Sequence, residues 1–160
     1  MPERTYNALF VGTGNAARSQ MAEALLNFMA KGRIRAFSAG SHPEASVQPL
    51  AAELIAGLAL PKEMLRTKSW DEFAGPGAPE MDFVITLCDN AAGEVCPAWP
   101  GHPAVAHWRI PDPGLTPGDH HAFKDAWLAL HLRIELLLEL PLEKLDRSAR
   151  QQHLLLIANG

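Results

Sequence analysis

An arginine and a run of small residues directly follow the first apolar segment of the chain. The run Gly12-Thr-Gly-Asn-Ala-Ala17 comes after the apolar residues Asn7–Val11, and Arg18 precedes a segment, Ser19–Ala30, whose apolar residues have helical spacing. In a strand–loop–helix unit of this kind, backbone N–H groups and the positive end of the helix dipole point into the loop. The guanidinium of Arg18 adds a fork of donors that matches a tetrahedral oxyanion. The stretch therefore predicts an anion-binding loop.

Three further residues have side chains that could take part in chemistry. Cys88 directly follows the third predicted strand, Asp82–Leu87, while Cys96 and Asp112 lie in loops further along the chain. With no export signal, two cysteines indicate a reducing cytoplasm, where such a pair is redox-active, catalytic or simply buried more often than a structural disulfide. Asp112 lies between two prolines, a position that is also typical of a residue that only shapes a turn.

Predicted strands and helices alternate along the chain, which favours an open parallel α/β sheet. We expect strands at Asn7–Val11, Ile34–Ser38, Asp82–Leu87 and Ala104–Trp108, and helices at Ser19–Ala30, around Leu50–Leu58 and along the apolar stripe Phe123–Leu137. Thr116-Pro-Gly-Asp119 resembles a capping box that would start the last helix at its proline. Because ligands of such sheets lie beyond the carboxyl ends of the strands, the loop after Val11, Cys88 and Asp112 are expected to meet at one site.

The length and composition of the chain narrow the class of protein. Its 160 residues predict a single α/β domain over residues 1–140, with a helical tail at residues 141–160 packed on it or extending from it. A net charge of −4 shows no electrostatic footprint for nucleic acid. No uncharged apolar run approaches the roughly 18 residues of a membrane span, and the first residues do not form a signal peptide, so a cytoplasmic protein is expected. The histidines lack zinc-ligand spacing.

A second interpretation of the loop is a dinucleotide-binding turn. Gly12-Thr-Gly-Asn-Ala-Ala17 matches the fingerprint G-x-G-x-x-A in a strand–loop–helix context. That fingerprint expects an acidic residue at the end of the second strand to hold the ribose. The second predicted strand ends in Phe37-Ser38-Ala39, without an acid. The anion-loop interpretation is therefore favoured over binding of NAD or NADP.

Longer motifs extend the pattern beyond the loop. They are Gly12-Thr-Gly-Asn-Ala-Ala-Arg-Ser-Gln-Met-Ala-Glu-Ala-Leu-Leu26, Phe37-Ser-Ala-Gly-Ser-His-Pro43, Thr67-Lys-Ser-Trp-Asp-Glu-Phe73, Asp82-Phe-Val-Ile-Thr-Leu-Cys-Asp-Asn-Ala-Ala92, Cys96-Pro97, and His107-Trp108 with Asp112-Pro113. In this order they resemble the thioredoxin-type arsenate reductases, which share the low-molecular-weight protein tyrosine phosphatase fold. The resemblance implies a small four-stranded parallel sheet of strand order 2-1-3-4, flanked by helices.

The resemblance also implies a role for each site residue. Arsenate, phosphate or sulfate would be bound by the guanidinium and backbone N–H groups of the oxyanion loop, which consists of Gly12, Thr13, Gly14, Asn15, Ala16, Ala17 and Arg18. Asn15 would brace the loop, and Ser19 would lower the pKa of the nucleophile by donating a hydrogen bond. Asp112 would be the general acid on the leaving oxygen. Cys88 and Cys96 would take over the oxidising equivalent, since thiolate attack on the arsenylated nucleophile releases arsenite and leaves a disulfide.

The same resemblance implies partners rather than a bound cofactor. The disulfide would be reduced from outside by thioredoxin, glutaredoxin or a small thiol, and the function would be resistance to arsenicals. Four side chains, Asn15, Glu23, Ser38 and Asp71, resemble the monovalent-cation site of the family.

The chain departs from the family at the residue on which the covalent chemistry depends. Gly12 occupies the position of the nucleophilic cysteine, and glycine has no side chain to attack the oxyanion. A natural loss and a deliberate Cys-to-Gly replacement both account for this. The sequence therefore predicts an arsenate reductase by descent that binds oxyanions with little or no turnover. The alternatives are a non-catalytic oxyanion-binding or regulatory relative, and a phosphatase-like activity once the cysteine is restored.

Overall fold

A computed structural model describes residues 5–58, 66–75, 77–87, 103–111, 113 and 118–158. The described strands are β1 (Tyr6–Gly12), β2 (Ile34–Gly40), β3 (Phe83–Thr86) and β4 (Ala104–His107). The described helices are α1 (Arg18–Ala30), α2 (Pro49–Ala56), α3 (His120–Leu138) and α4 (Arg147–Ala158), with short 3₁₀ helices at Trp70–Phe73 and Leu142–Lys144.

The four strands form one parallel sheet in the order β2-β1-β3-β4, which confirms the predicted fold. β2 is two residues longer than predicted, because Ala39 and Gly40 continue the ladder opposite Val11 and Gly12. This extension carries the end of β2 alongside the start of the oxyanion loop.

The apolar residues of β1 alternate between two cores, as the period of a strand requires. Tyr6, Ala8 and Phe10 belong to the larger cluster, which contains the buried faces of α1, α3 and α4. Leu9 and Val11 belong to a smaller cluster on the other face. The sheet is therefore covered on both sides, and β1 is central to both cores.

The C-terminal residues add to the larger core. Leu154 and Ile157 on α4 are buried in it, and the indole N–H of Trp108 donates to the Leu154 carbonyl at 3.1 Å. The division of the chain into a domain of residues 1–140 and a tail stays a prediction. Among the residues that the structure describes, no helix combines the length and the apolar character needed to cross a membrane.

The start of α3 differs from the predicted capping box. The N-cap is Asp119, whose side chain accepts a hydrogen bond from the N–H of Ala122 at 3.1 Å, and the helix begins at His120. The prediction that it would start at Pro117 was wrong. An aspartate satisfies an unpaired N–H group of a first helical turn as well as a threonine does. Thr116 and Pro117 lie outside the described residues. Of the predicted apolar stripe, the side chains of Phe123, Leu130, Ile134 and Leu137 are buried.

Candidate functional site

The oxyanion loop is held by the segment that follows β2. Four of its carbonyls point towards this segment, residues 41–48. The carbonyls of Gly12, Thr13, Gly14 and Ala16 accept hydrogen bonds of 2.8–3.2 Å from the N–H groups of Ser41, His42, Glu44 and Gln48, respectively. Because the carbonyl and N–H of a trans peptide point in opposite directions, the amides that follow these carbonyls point away from the segment. These are the N–H groups of Thr13, Gly14, Asn15 and Ala17.

Asn15 adopts a backbone conformation that is uncommon for a residue with a side chain. Its φ is 53°, in the left-handed region. The buried side chain fixes this geometry: Nδ2 donates to Ser19 Oγ at 2.8 Å, and Oδ1 accepts from the Lys68 N–H at 3.0 Å. Gln20 Nε2 donates to both the carbonyl and Oδ1 of Asn15, at 3.1 and 3.0 Å. Hydrogen bonds to three other residues therefore fix the position of this loop residue.

Arg18 lies at the first turn of α1, at the carboxyl end of the sheet. Its Nη1 donates to the carbonyl of Leu87 at 3.2 Å, just beyond β3, and to that of Ile110 at 2.9 Å, beyond β4. The guanidinium therefore joins the ends of two strands beside the loop. Its role in binding an anion stays a prediction.

Gly12 ends β1 and is buried. A Cβ built there would lie 3.4 Å from Ser19 Oγ, an ordinary van der Waals distance, and its φ lies outside the left-handed region. Position 12 therefore accepts a side chain without strain, and that side chain would point at the Ser19 hydroxyl. The expected Ser19 hydrogen bond to a nucleophile at position 12 has the right placement but stays untested.

A buried charged cluster lies behind the loop. Ser38 Oγ donates to Glu23 Oε1 at 2.7 Å, and the Lys68 ammonium lies 3.6 Å from the same oxygen. Burial raises the pKa of the Glu23 carboxyl, and the Lys68 charge and the Ser38 hydroxyl oppose that rise. Burial likewise lowers the pKa of Lys68, opposed by Glu23. Asp71, expected to share a cation site with these residues, is exposed on the first 3₁₀ helix.

The structure describes part of the expected site, and the expected residues that it describes lie close together. The loop, Arg18 and Ser19 lie in one place, while Cys88, Cys96 and Asp112 lie outside the described residues. Leu87, which directly precedes Cys88, is the residue whose carbonyl accepts from Arg18.

Sequence reasoning assigned no role to Gln20, Lys68 and Glu44, which all lie at the loop. A buried glutamine on the apolar side of a helix is a detectable signal, because its amide must find partners there. Lys68 could not be found in this way, because lysine side chains are mostly exposed and nothing in the sequence indicates that this one is buried.

Comparisons with known proteins agree with this geometry. The family model for low molecular weight phosphotyrosine protein phosphatases matches residues 7–151. The chain therefore belongs to the low molecular weight phosphotyrosine protein phosphatase family. With this family and with no acidic residue in β2, the dinucleotide hypothesis has no support.

Within the family, the chain is similar to arsenate reductases. It is 31% identical to an arsenate reductase of Halalkalibacterium halodurans over 109 residues, 68% of this chain and 75% of that protein. The crystal structure of an arsenate reductase from Archaeoglobus fulgidus superimposes with a TM-score of 0.64 at 28% identity, covering 82% of this chain and 98% of that one. A thioredoxin-dependent arsenate reductase of Corynebacterium glutamicum gives a TM-score of 0.60 at 25% identity, covering 84% of this chain and 61% of that one.

Proposed function

We propose that this chain is an oxyanion-binding protein of the arsenate reductase type whose covalent step is lost or strongly impaired. The observation that carries the proposal is the braced loop at residues 12–18, whose amides turn away from the supporting segment beside Arg18 while position 12 has no side chain. Arsenate, phosphate or sulfate fits such a loop, because backbone amides and a guanidinium favour a tetrahedral anion.

The proposed chemistry requires a thiolate at position 12. In the family reaction that thiolate would form a bond to arsenic, and Asp112 would protonate the oxygen that leaves. A second thiolate, from Cys88 or Cys96, would then attack the sulfur at position 12. The sulfur–arsenic bond would break with its electron pair going to arsenic, so that arsenite leaves and the two sulfurs form a disulfide. An external thiol such as thioredoxin would reduce the disulfide. With Gly12 the first bond cannot form, so binding is retained and turnover is not.

Restoring the thiol tests this proposal. We expect the parent chain to bind phosphate and arsenate in titration calorimetry and to release almost no arsenite with thioredoxin and its reductase present. Gly12→Cys should raise thiol-dependent arsenite release by at least about 100-fold, because it restores the nucleophile, and loss of a nucleophile costs orders of magnitude in rate. Gly12→Ala is the control, because it adds a Cβ without a thiol. Equal turnover by the parent chain and Gly12→Cys would contradict the proposal.

A second candidate function is a non-catalytic or regulatory oxyanion-binding protein. It is favoured by Gly12, because position 12 has room for a side chain and carries none while Arg18 and Ser19 lie beside the loop. If the loss of the cysteine is an adapted state, Gly12→Cys should bind oxyanions but remain inactive. If Gly12→Cys instead hydrolyses an aryl phosphate without any thiol reductant, the site has phosphatase-like chemistry.

A further inference from the structure

Three polar side chains from separate parts of the chain meet behind the oxyanion loop. Glu23 lies on α1, Ser38 on β2 and Lys68 just before the first 3₁₀ helix, and their exposed fractions are 7%, 0% and 8%. The Lys68 ammonium lies 3.6 Å from Glu23 Oε1, 3.4 Å from Ser38 Oγ and 3.0 Å from the carbonyl of Arg66. Its surroundings are thus a carboxylate, a hydroxyl and a carbonyl.

A neighbouring cation stabilises the charged form of the carboxyl in this set of oxygens. A buried carboxylate is costly unless an opposite charge and hydrogen bonds offset the loss of water. The same oxygen types are those by which proteins hold hard metal cations. In this chain Glu23 and Ser38 are hydrogen-bonded to each other, and the ammonium of Lys68 lies beside both, in the position that a free monovalent cation would have to take.

The backbone of Lys68 connects this cluster to the loop. Its N–H donates to Asn15 Oδ1 at 3.0 Å, and its carbonyl accepts from the Gly40 N–H at 2.9 Å. Asn15 in turn donates to Ser19. A left-handed Asn15 persists only while its surroundings hold it, because that conformation is disfavoured for a residue with a Cβ. Holding Lys68 in place therefore holds Asn15 in place.

We propose that Lys68 is a positioning residue whose ammonium acts as an internal cation for the oxyanion loop, so that anion binding by this chain needs no added monovalent metal ion. The proposal rests on the proposed oxyanion site. It differs from an ordinary buried ion pair in one respect. A small cation in the position emptied by the loss of Lys68 should restore the phosphate affinity that this loss removes.

The test uses the full chain and three variants in buffers of equal ionic strength. K⁺, Na⁺ or choline is the main cation, and the phosphate dissociation constant is measured by titration calorimetry. Lys68→Ala empties the position, Lys68→Met fills it without charge, and Lys124→Ala removes an exposed lysine of α3 as the matched control. We expect the parent chain and Lys124→Ala to bind phosphate equally in all three salts. Lys68→Ala should bind about tenfold more weakly in choline and recover in K⁺, whereas Lys68→Met should not recover.

Three results would overturn the proposal. In the first, phosphate binding by the parent chain depends on K⁺. In the second, Lys68→Ala binds phosphate as tightly as the parent in choline. In the third, Lys68→Ala binds phosphate more weakly and K⁺ does not restore its affinity. If Lys68→Ala does not fold in any of the salts, Lys68→Met decides. Phosphate binding as tight as that of the parent would overturn the proposal, and weaker phosphate binding would support it. Folding of Lys68→Ala only in K⁺ would also support it.

A failure of the proposed function itself is separately visible. If the parent chain binds no phosphate in any salt, the oxyanion site is wrong, and amide hydrogen exchange then tests Lys68 without a ligand. Faster exchange at residues 15–19 of Lys68→Ala in choline, reversed by K⁺, would support the positioning role. Unchanged exchange would overturn it.

Discussion

Two glycines face each other across β1 and β2, and they differ in what they tolerate. Gly40 is paired with Gly12 in the register, at the point where the oxyanion loop begins. A Cβ on Gly40 would lie 2.5 Å from the Thr13 carbonyl oxygen and 3.0 Å from the Asn15 backbone nitrogen. Within the described part of the chain, a Cβ on Gly12 meets only Ser19, at ordinary distances. The fold therefore requires glycine at position 40 and does not require it at position 12. No contact of the described residues therefore explains why position 12 is glycine.

The largest expected effect is on Gly40. Gly40→Ala should lower the free energy of unfolding by about 2–3 kcal/mol, because the methyl group must displace the loop backbone rather than a flexible side chain. Urea unfolding followed by circular dichroism measures this. Gly12→Ala is the matched control, and we expect its stability to stay within about 1 kcal/mol of the parent, on the stabilising side. If both variants lose a similar amount of unfolding free energy, the two glycines do not differ in what they tolerate.

A smaller effect is expected at Gly14, a third glycine of the same loop region. A Cβ there would collide with the side chain of Glu44, which is exposed and can move. Gly14→Ala should therefore cost about 1 kcal/mol, an overpacking strain that a flexible neighbour partly relieves. Combining it with Glu44→Ala should remove most of this cost, because the colliding atoms are then absent. Additive losses in this double-mutant cycle, measured by urea unfolding, would show that the loop backbone itself rejects the Cβ.

The smallest effect concerns the segment that pairs with Gly40. Arg66 binds Glu72 through two hydrogen bonds of 3.2 and 2.9 Å, which lower the pKa of the Glu72 carboxyl. Because the carboxyl pKa is lower in the folded state, the ion pair stabilises the folded chain at pH values above the ordinary carboxyl pKa of 4.5. This stabilisation is lost as the pH falls through the folded-state pKa. Because both side chains are largely exposed, the gain is below about 1 kcal/mol. Glu72→Gln should flatten the acid limb of the stability–pH curve by that amount, and added salt should do the same to the parent. An unchanged acid limb would show that this pair does not support the segment.

The elements around the site could be predicted because their signals are local. The apolar run before Gly12 and the helical spacing after Arg18 depend on neighbouring residues only, and both elements lie where they were expected. The strand order followed from a resemblance that the fold confirms. The predicted start of α3 was wrong because aspartate caps helices as readily as threonine does, and the helix begins directly after Asp119.

The contacts that complete the site could not be predicted. Residues 66–68 carry no periodic pattern, so nothing in the sequence showed that the Lys68 ammonium would lie beside Glu23 and Ser38. The same holds for Glu44, which reaches Gly14 only because the segment after β2 folds back on the loop.

The sequence by itself determined that a run of small residues follows β1, that Arg18 starts the helix after it and that position 12 is glycine. Each of these depends on residue type and local spacing, which folding does not change. Only the tertiary structure decided that Gly40 must be glycine while Gly12 need not be, and that a lysine ammonium lies behind the loop. Those outcomes depend on the close approach of segments far apart in the chain, whose packing is set by the whole core.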